Sequence, residues 1–172
     1  MSSGKTATTT TARAALDTPV GALVITASRR GVTSIQRRSA RASRAAGSQI
    51  VGDATAARHV ARAVRELREY FAGTRRRFTV PLDPDGTDFQ RAAWRQLQRI
   101  PFGVTISYGE QARRAGSPRA VRAIGSANGA NPVPIIVPCH RVVAGNGEGG
   151  YSLGIAMKRT LLAHEARVSA AG

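Results

Sequence analysis

Between Thr87 and Gly129 the sequence marks the start and the stop of three short helices. Thr87-Asp88-Phe89-Gln90 has the spacing of a capping box, which predicts a helix over about Asp88 to Arg99 with Phe89, Ala93, Trp94 and Leu97 as its buried face. Ile100-Pro101-Phe102-Gly103 stops it, and Ser107-Tyr108-Gly109-Glu110 repeats the capping pattern to open a shorter helix ending at Gly116. Ser117-Pro118 supplies a capping hydroxyl and a proline at the first helical position, so a third helix is expected over about Pro118 to Ala127, closed by Asn128-Gly129. Two short helices joined by a glycine-containing turn make a helix-turn-helix candidate, although any helical hairpin shares that pattern.

Charge separates those readings. Lys+Arg total 26 against Asp+Glu 10, a net charge of +16, and Lys5 and Lys158 are the only lysines. The planar guanidinium grips phosphate bidentately, so an arginine-rich excess points to nucleic acid. A GC-rich genome writing arginine wherever a solvated cation suffices is the bland alternative. The third helix carries Arg119 and Arg122 among Ala120, Ala123, Gly125, Ser126 and Ala127, with no Asn or Gln before Asn128. A smooth face of this kind admits a close approach to DNA without reading a sequence, and suits the minor groove with Arg122 as wedge or phosphate clamp. Tight helix packing is the competing use of the same small residues.

The first half reads as a small sheet and one helix. Residues 1–15 are Ser/Thr/Ala-rich and are expected to be a disordered tail. Thr18-Pro19-Val20-Gly21 introduces the β-rich run Ala22–Ala27, Arg29-Arg30-Gly31 turns, and Val32–Ile35 follows, the pattern of a hairpin. Residues 37–49 read as a basic loop. Val60, Ala63, Val64, Leu67, Tyr70 and Phe71 recur at helical spacing, predicting a helix over about Ala54 to Ala72 that Gly73 ends. Arg77–Leu82 looks like a further strand, and Asp83-Pro84-Asp85-Gly86 is turn chemistry at a boundary. The expected organisation is therefore an N-terminal unit over 16–82, a linker at 83–87, a helical unit over 88–168 and a short tail at 169–172. At 42% hydrophobic residues the chain can bury a core. No run of 18 apolar residues exists to span a membrane, and the N-terminus has no apolar segment of the secretory kind. Trp94 is expected in the core, His59 on a solvated face and His164 on a helix surface.

Cys139 is the only cysteine. It can form neither an internal disulfide nor a multi-thiolate metal site, and it fits a reducing, cytoplasmic compartment. It is either an inert small apolar side chain or a nucleophile. It follows Pro138 and precedes His140 and Arg141, cationic neighbours of the kind that activate a thiol. Pro132, Pro134 and Pro138 stiffen the approach, and Ile135-Ile136-Val137 should be buried. In an extended segment Cys139 and His140 would point to opposite faces, so proton transfer between them needs a turn or a bridging water. Asn131, on the same stiff segment, is placed to order that turn.

Taken together, Asn131-Pro132, Pro138-Cys139-His140-Arg141-Val142, Gly150-Tyr151-Ser152 and Lys158…Leu161-Leu162…His164-Glu165 resemble the O6-alkylguanine-DNA alkyltransferases. So do the run from Gly86 through Trp94, Ile100-Pro101-Phe102-Gly103 and Ser107-Tyr108-Gly109-Glu110, and the segment Arg122–Gly129. The resemblance spans roughly residues 17 to 168 and is most specific in the helical half. It implies an α/β (α+β) fold, with a small RNase H-like α/β domain followed by a helix-turn-helix, winged-helix-like domain that enters the minor groove of double-stranded DNA containing O6-alkylguanine. Arg122 would fill the gap left by the flipped base, with Arg119, Ala123, Ser126, Ala127, Asn128 and Arg141 as further DNA contacts. Cys139 would take the alkyl group from O6-alkylguanine, and from O4-alkylthymine, in a single irreversible turnover. His140 would receive the thiol proton through a water, Glu165 would hold His140, and Asn131 would fix the turn. Tyr108 and Ser152 would donate to the leaving base, with Tyr151, Val142 and Leu153 lining the substrate site and the carbonyls of Cys139 and Val142 accepting from its amine. No cofactor is required. Some members of the family hold a structural zinc in the first domain; here that domain has no Cys and only His59, so none is expected. A monomer is the expected state.

The chain departs from the family pattern after the active cysteine. Tyr151-Ser152-Leu153-Gly154 stands where Tyr-Ser-Gly-Gly or Tyr-Gly-Gly-Gly is common, and the loop Ala144–Gly150 is one residue shorter. A glycine at positive φ replaced by Leu153 would be strained by about 1 kcal/mol or more, and the leucine would narrow the alkyl pocket. Three competing readings are a lesion sensor that binds without transfer, a cysteine hydrolase built on Cys139, His140 and Glu165, and a basic DNA-binding protein with an inert cysteine. The hydrolase leaves the charge and the helix-turn-helix without a role.

Overall fold

The computed structural model describes residues 10–38 and 49–172. The basic loop expected over 37–49 lies largely outside these residues, as does the first part of the expected tail. The remainder of that tail is a correction: Thr11–Thr18 is strand β1, with Ala12, Ala14 and Leu16 pointing into the core in strict alternation. It pairs in antiparallel register with β2, Gly21–Ser28, whose inward residues are Leu23, Ile25 and Ala27. The turn between them is closed by Thr18, whose hydroxyl donates to the Gly21 carbonyl at 2.6 Å while Gly21 takes φ 107°. β3, Val32–Arg37, and β4, Val51–Gly52, complete a sheet in the order β3-β2-β1-β4.

Helix α1, Ala54–Phe71, lies across this sheet. Asp53 caps it by accepting from the amides of Thr55 and Ala56. Its buried stripe is Ala56, Val60, Ala63, Leu67 and Tyr70, with Glu66 as an ionisable member. Glu66 explains why the strand expected at Arg77–Leu82 does not form. Its carboxylate takes the amides of Thr79 (2.8 Å) and Val80 (3.1 Å), the donors a ladder would need, and Pro81 has none to offer. Only one bridge, Val32 to Leu82, remains. This segment then crosses the β2–β3 turn so closely that a Cβ on Gly31 would lie 2.5 Å from the Pro81 carbonyl oxygen. Asp83, expected in a linker, is pinned to the sheet by the Ser28 hydroxyl at 2.6 Å and by Arg30.

The second half comprises α2 (Asp88–Leu97), β5 (Ile106–Ser107), α3 (Tyr108–Arg114), α4 (Val121–Gly129), a 3₁₀ turn at Cys139–Arg141, β6 (Val142–Val143) and α5 (Ile155–Ala170). Thr87 and Gln90 make the reciprocal capping pair at α2, whereas at α3 Ser107 accepts from the Glu110 amide but the Glu110 carboxylate turns to Arg113 and Arg114, so that box is only half formed. Phe89 is a correction, being 41% exposed on the first turn; the face that meets the other helices is Ala93, Trp94 and Leu97. The third helix begins at Val121, later than its sequence suggests. Residues 117–120 form a separate turn in which the Ser117 carbonyl accepts from the Ala120 amide, and α4 has no side-chain cap. β5 and β6 pair in parallel, Ile106 with Val142, tying the start of α3 to the segment that follows the cysteine. α5 continues to Ala170, so the tail expected from 169 begins inside a helix.

Glu66 is fully buried and accepts from four groups: two backbone amides, the Thr79 hydroxyl and Arg62. Burial opposes its ionisation, yet these donors hold its carboxyl below the usual range. Its stabilisation is present above the unfolded carboxyl pKa near ~4.3 and is lost as pH falls through the lower folded value. Glu66→Gln should therefore lower stability by about 2 kcal/mol at neutral pH, read by urea unfolding, with the deficit shrinking in acid.

Candidate active site

Cys139 sits at the start of a 3₁₀ turn that meets the requirement for a turn between thiol and imidazole. Asn131 builds it. Its carboxamide oxygen accepts from the Val133 amide at 3.0 Å, and its nitrogen donates to the Val137 carbonyl at 2.8 Å and to Cys139 Sγ at 3.2 Å. Between them Ile135, fully buried, takes φ 75°. A β-branched residue in that region costs about 1–3 kcal/mol and persists only where its surroundings over-determine it, here the prolines, the Asn131 clamp and the Val137-to-Val133 bond.

Behind the thiol lies a buried polar network centred on Glu165. Its carboxylate accepts from His140 Nε2 at 2.7 Å, the Tyr70 hydroxyl at 2.8 Å, the Gly103 amide at 3.0 Å and the Arg141 guanidinium, whose Nε lies 3.0 Å from Oε2 and whose Nη2 lies 3.0 Å from Oε1. Burial opposes its charge, but the His140 bond and then Arg141 outweigh burial and hold the carboxyl far below the usual range. An ionised carboxylate only accepts, so His140 carries its proton on Nε2 and presents a lone pair on Nδ1. Nδ1 is buried and has no hydrogen-bond partner among the described residues. Burial lowers the imidazole pKa against the pull of Glu165, which favours the neutral ring with Nδ1 as its proton acceptor. Burial pushes the Cys139 thiol up, opposed by the Asn131 donor and the Lys158 charge. The nucleophile therefore rests as a thiol beside a base.

The mouth of the site is formed by Tyr108 and the loop before α5. The Tyr108 hydroxyl donates to the Gly150 carbonyl at 3.4 Å, and its ring is 4.0 Å from a Cβ built on Gly125 of α4. Gly149 at φ 71° passes so close that a Cβ would lie 2.9 Å from that ring. The Tyr151 hydroxyl is buried without a partner among the described residues; burial and then the Cys139 sulfur raise its pKa. Ser152 is exposed and Leu153 half-buried. Leu153 is not strained: Ile135 is the one described non-glycine residue at positive φ, and Gly154 carries φ 98° instead.

Arg119, Arg122, Ala123 and Ser126 form an exposed face on and just before α4. Three expected DNA contacts do not belong to it. Arg141 is 5% exposed, committed to Glu165 and to the Ile100 carbonyl at 2.7 Å, and stacked over Phe102. Asn128 is buried and exchanges carboxamide bonds with Gln111 at 2.7 and 3.0 Å, locking α3 to α4. Ala127 is buried and its carbonyl accepts from the Trp94 indole at 2.8 Å. The helix turns these residues inward because Ile124, Ala127 and Asn128 share its buried stripe. His164 is also inside, bonded to the Tyr70 carbonyl at 2.8 Å and surrounded by Tyr70, Phe71 and Phe102.

Two working residues escaped sequence reasoning. Lys158 is fully buried, and its ammonium donates to the Val142 carbonyl at 2.6 Å and the Gly150 carbonyl at 3.2 Å, 5.9 Å from the centre of the Tyr108 ring. One of the Val142 acceptor positions expected for substrate is thus occupied. The available signal was that an arginine-rich chain writes lysine at 158, where a compact ammonium is needed. Tyr70 read as apolar helix face, and nothing local betrayed its hydroxyl. Tyr70→Phe should cost about 1.5–3 kcal/mol above roughly pH 5 by urea unfolding, because it removes a bond to a charged acceptor. Glu165 stabilises the fold only while ionised, so wild type and variant should converge as pH falls through the depressed carboxyl range.

Comparison with known proteins accords with this geometry. Residues 12–84 match the ribonuclease-like domain of 6-O-methylguanine DNA methyltransferase, and residues 88–167 match its DNA binding domain. The methylated-DNA–protein-cysteine methyltransferase of Mycolicibacterium paratuberculosis is 52% identical over 115 residues, 66% of this chain and 70% of that protein. The Methanosarcina acetivorans protein of the same name is 50% identical over 101 residues, 58% of this chain and 65% of that protein. The crystal structure of the Mycobacterium tuberculosis protein in complex with DNA superposes with a TM-score of 0.76 at 40% identity, covering 90% of this chain and 92% of that one. From its paired domains, its helix-turn-helix and its histidine-backed cysteine, the chain belongs to the 6-O-methylguanine DNA methyltransferase family.

Proposed function

We propose that this protein repairs DNA by moving the alkyl group of O6-alkylguanine, and of O4-alkylthymine, onto Cys139 in a single turnover. The observation that carries this reading is His140, whose Nε2 is fixed by Glu165 and whose Nδ1 is left to accept a proton, in the same 3₁₀ turn as the only thiol and next to it in sequence. The exposed face of Arg119, Arg122, Ala123 and Ser126 seats in the minor groove, and Arg122 holds the space vacated by the flipped base. The thiol proton passes to Nδ1 through one bridging water. Sγ then attacks the alkyl carbon as the carbon–O6 bond breaks, and the electron pair leaves with guanine. Asn131 and the Lys158 charge favour the developing thiolate. Tyr108, at the mouth, gives a proton to the leaving base, with Ser152 and Tyr151 at its rim. The thioether has no leaving group to regenerate the thiol, so protein and reagent are consumed together. The protein acts as a monomer in the cytoplasm; among the described residues no helix is long and apolar enough to cross a membrane.

Intact mass after incubation with duplex DNA carrying one O6-methylguanine tests the reaction. A stoichiometric gain of one methylene (about 14 Da) mapped to Cys139, and absent from Cys139→Ala, is expected. Retained lesion binding without a mass gain would instead make the protein a sensor.

Leu153 sets the size of the group accepted in this reading. It is half-buried next to Tyr151 and Ser152 and packs against the core, where a glycine would leave room. Methyl transfer should be at least tenfold faster than benzyl transfer (roughly 1.4 kcal/mol), and Leu153→Gly should close that gap in single-turnover kinetics. Equal rates on both substrates in the wild type would remove Leu153 from the specificity.

A further inference from the structure

A second cavity, of about 1080 Å³, is distinct from the alkyl-transfer site. It lies between the segment after α1 and the outer flank of α2, and none of Cys139, Tyr108, Tyr151, Arg119 and Arg122 lines it. Its rim carries Arg76, Arg77, Arg91, Arg95 and Arg99, and no Asp or Glu is among its lining residues. Arg91 is paired with Asp88. Arg77, Arg95 and Arg99 have no ion-pair or side-chain hydrogen-bond partner among the described residues and are exposed. Arg91 and Arg95 fall four residues apart on one side of α2, about 6 Å along its axis, and Arg99 follows in the turn just beyond the helix end. Like charges at that spacing weaken a helix, so folding gives no reason for the stripe. Its floor is apolar and aromatic: Phe78, Leu82, Ile100 and Phe102 line it, with the Arg76 and Arg141 guanidinium groups 5.9 and 5.7 Å from the Phe102 ring centre.

We propose that this groove binds single-stranded DNA, separately from the duplex held on α4. Arginines rather than lysines on the rim match phosphate oxygens bidentately, and their spread over the segment after α1, α2 and the turn beyond it suits an extended backbone rather than a point anion. An apolar, aromatic floor between cationic walls is the chemistry that takes unstacked bases. The volume holds a few nucleotides, whereas a duplex, with its phosphates outside and its bases stacked within, would leave the floor uncovered. Charge complementarity thus selects a polyanion, and the floor selects one with exposed bases. A strand so bound would hold the protein near gapped or unwound DNA while the recognition helix samples neighbouring duplex.

Fluorescence anisotropy of a labelled oligothymidylate of about eight nucleotides tests the assignment, using full-length protein already saturated with lesion-free duplex. The oligomer should bind that complex without displacing the duplex. Arg77→Ala/Arg95→Ala/Arg99→Ala should weaken it at least tenfold and reduce the slope of log K against log salt by about 2, as expected for the loss of three single-strand phosphate contacts. Methyl transfer from a short O6-methylguanine duplex, measured in parallel, should be the same for variant and wild type. Displacement of the oligomer by duplex, an unchanged affinity in the triple variant, or equally tight binding of an abasic oligomer or of polyglutamate of matching charge would each overturn the proposal. Failure of wild-type transfer with intact oligomer binding would instead count against the repair reaction and leave the groove standing.

Discussion

A single buried carboxylate organises the functional half of this molecule. Ionised Glu165 is surrounded by four donor residues from three separate parts of the chain: Tyr70 of α1, Gly103 after α2, and His140 and Arg141 of the 3₁₀ turn. A buried charge left unpaired is very costly, so these three segments can share one core only if all of them reach the same two oxygens. Satisfying Glu165 thereby fixes where the catalytic turn lies relative to both the sheet and the helices. The same arrangement decides the tautomer of His140, and through it which nitrogen faces the reaction.

Around that anchor the active-site segment is held stiff at a local cost. Three prolines, the Asn131 clamp and Ile135 at positive φ leave the backbone from 131 to 138 little freedom. A thiol raised by burial needs such placement, because it depends on an oriented base rather than on a large standing population of thiolate. Lys158 adds the second support. By binding the carbonyls of Val142 and Gly150 it joins the strand after the cysteine to the loop that closes the mouth, and brings a positive charge to the sulfur without exposing it to water.

The arginine excess divides into parts with different work. Some arginines are structural: Arg141 completes the Glu165 network, Arg62 supports Glu66, and Arg29 pairs with the α1 cap Asp53. Arg119 and Arg122 face outward at the recognition helix, whereas Arg77, Arg95 and Arg99 surround a separate groove. A net charge of +16 alone would not distinguish these groups.

Much of the architecture was legible because it is local. The capping box at Thr87, the Ser107 cap, the β-rich run of β2 and the periodicity of α1 act over a few residues, and each formed as the sequence indicates. The cysteine, the following histidine, Asn131 and Glu165 were legible as a constellation through family resemblance. Contacts distant along the chain were not. The strand expected at 77–82 lost its amides to Glu66, and Arg141, Ala127 and Asn128 turned from DNA contacts into core and network residues. Phe89 stayed outside, whereas His164 went in. By itself the sequence determined where most of the helices and the β2–β3 hairpin lie and which atom is the nucleophile, because caps, periodicity and a unique thiol are properties of neighbouring residues. The tertiary structure alone decided which arginines are spent inside, that Tyr70 and Lys158 serve the site, and that His140 presents an open nitrogen, because burial and hydrogen-bond partners up to 95 residues away exist only once the chain has closed on itself.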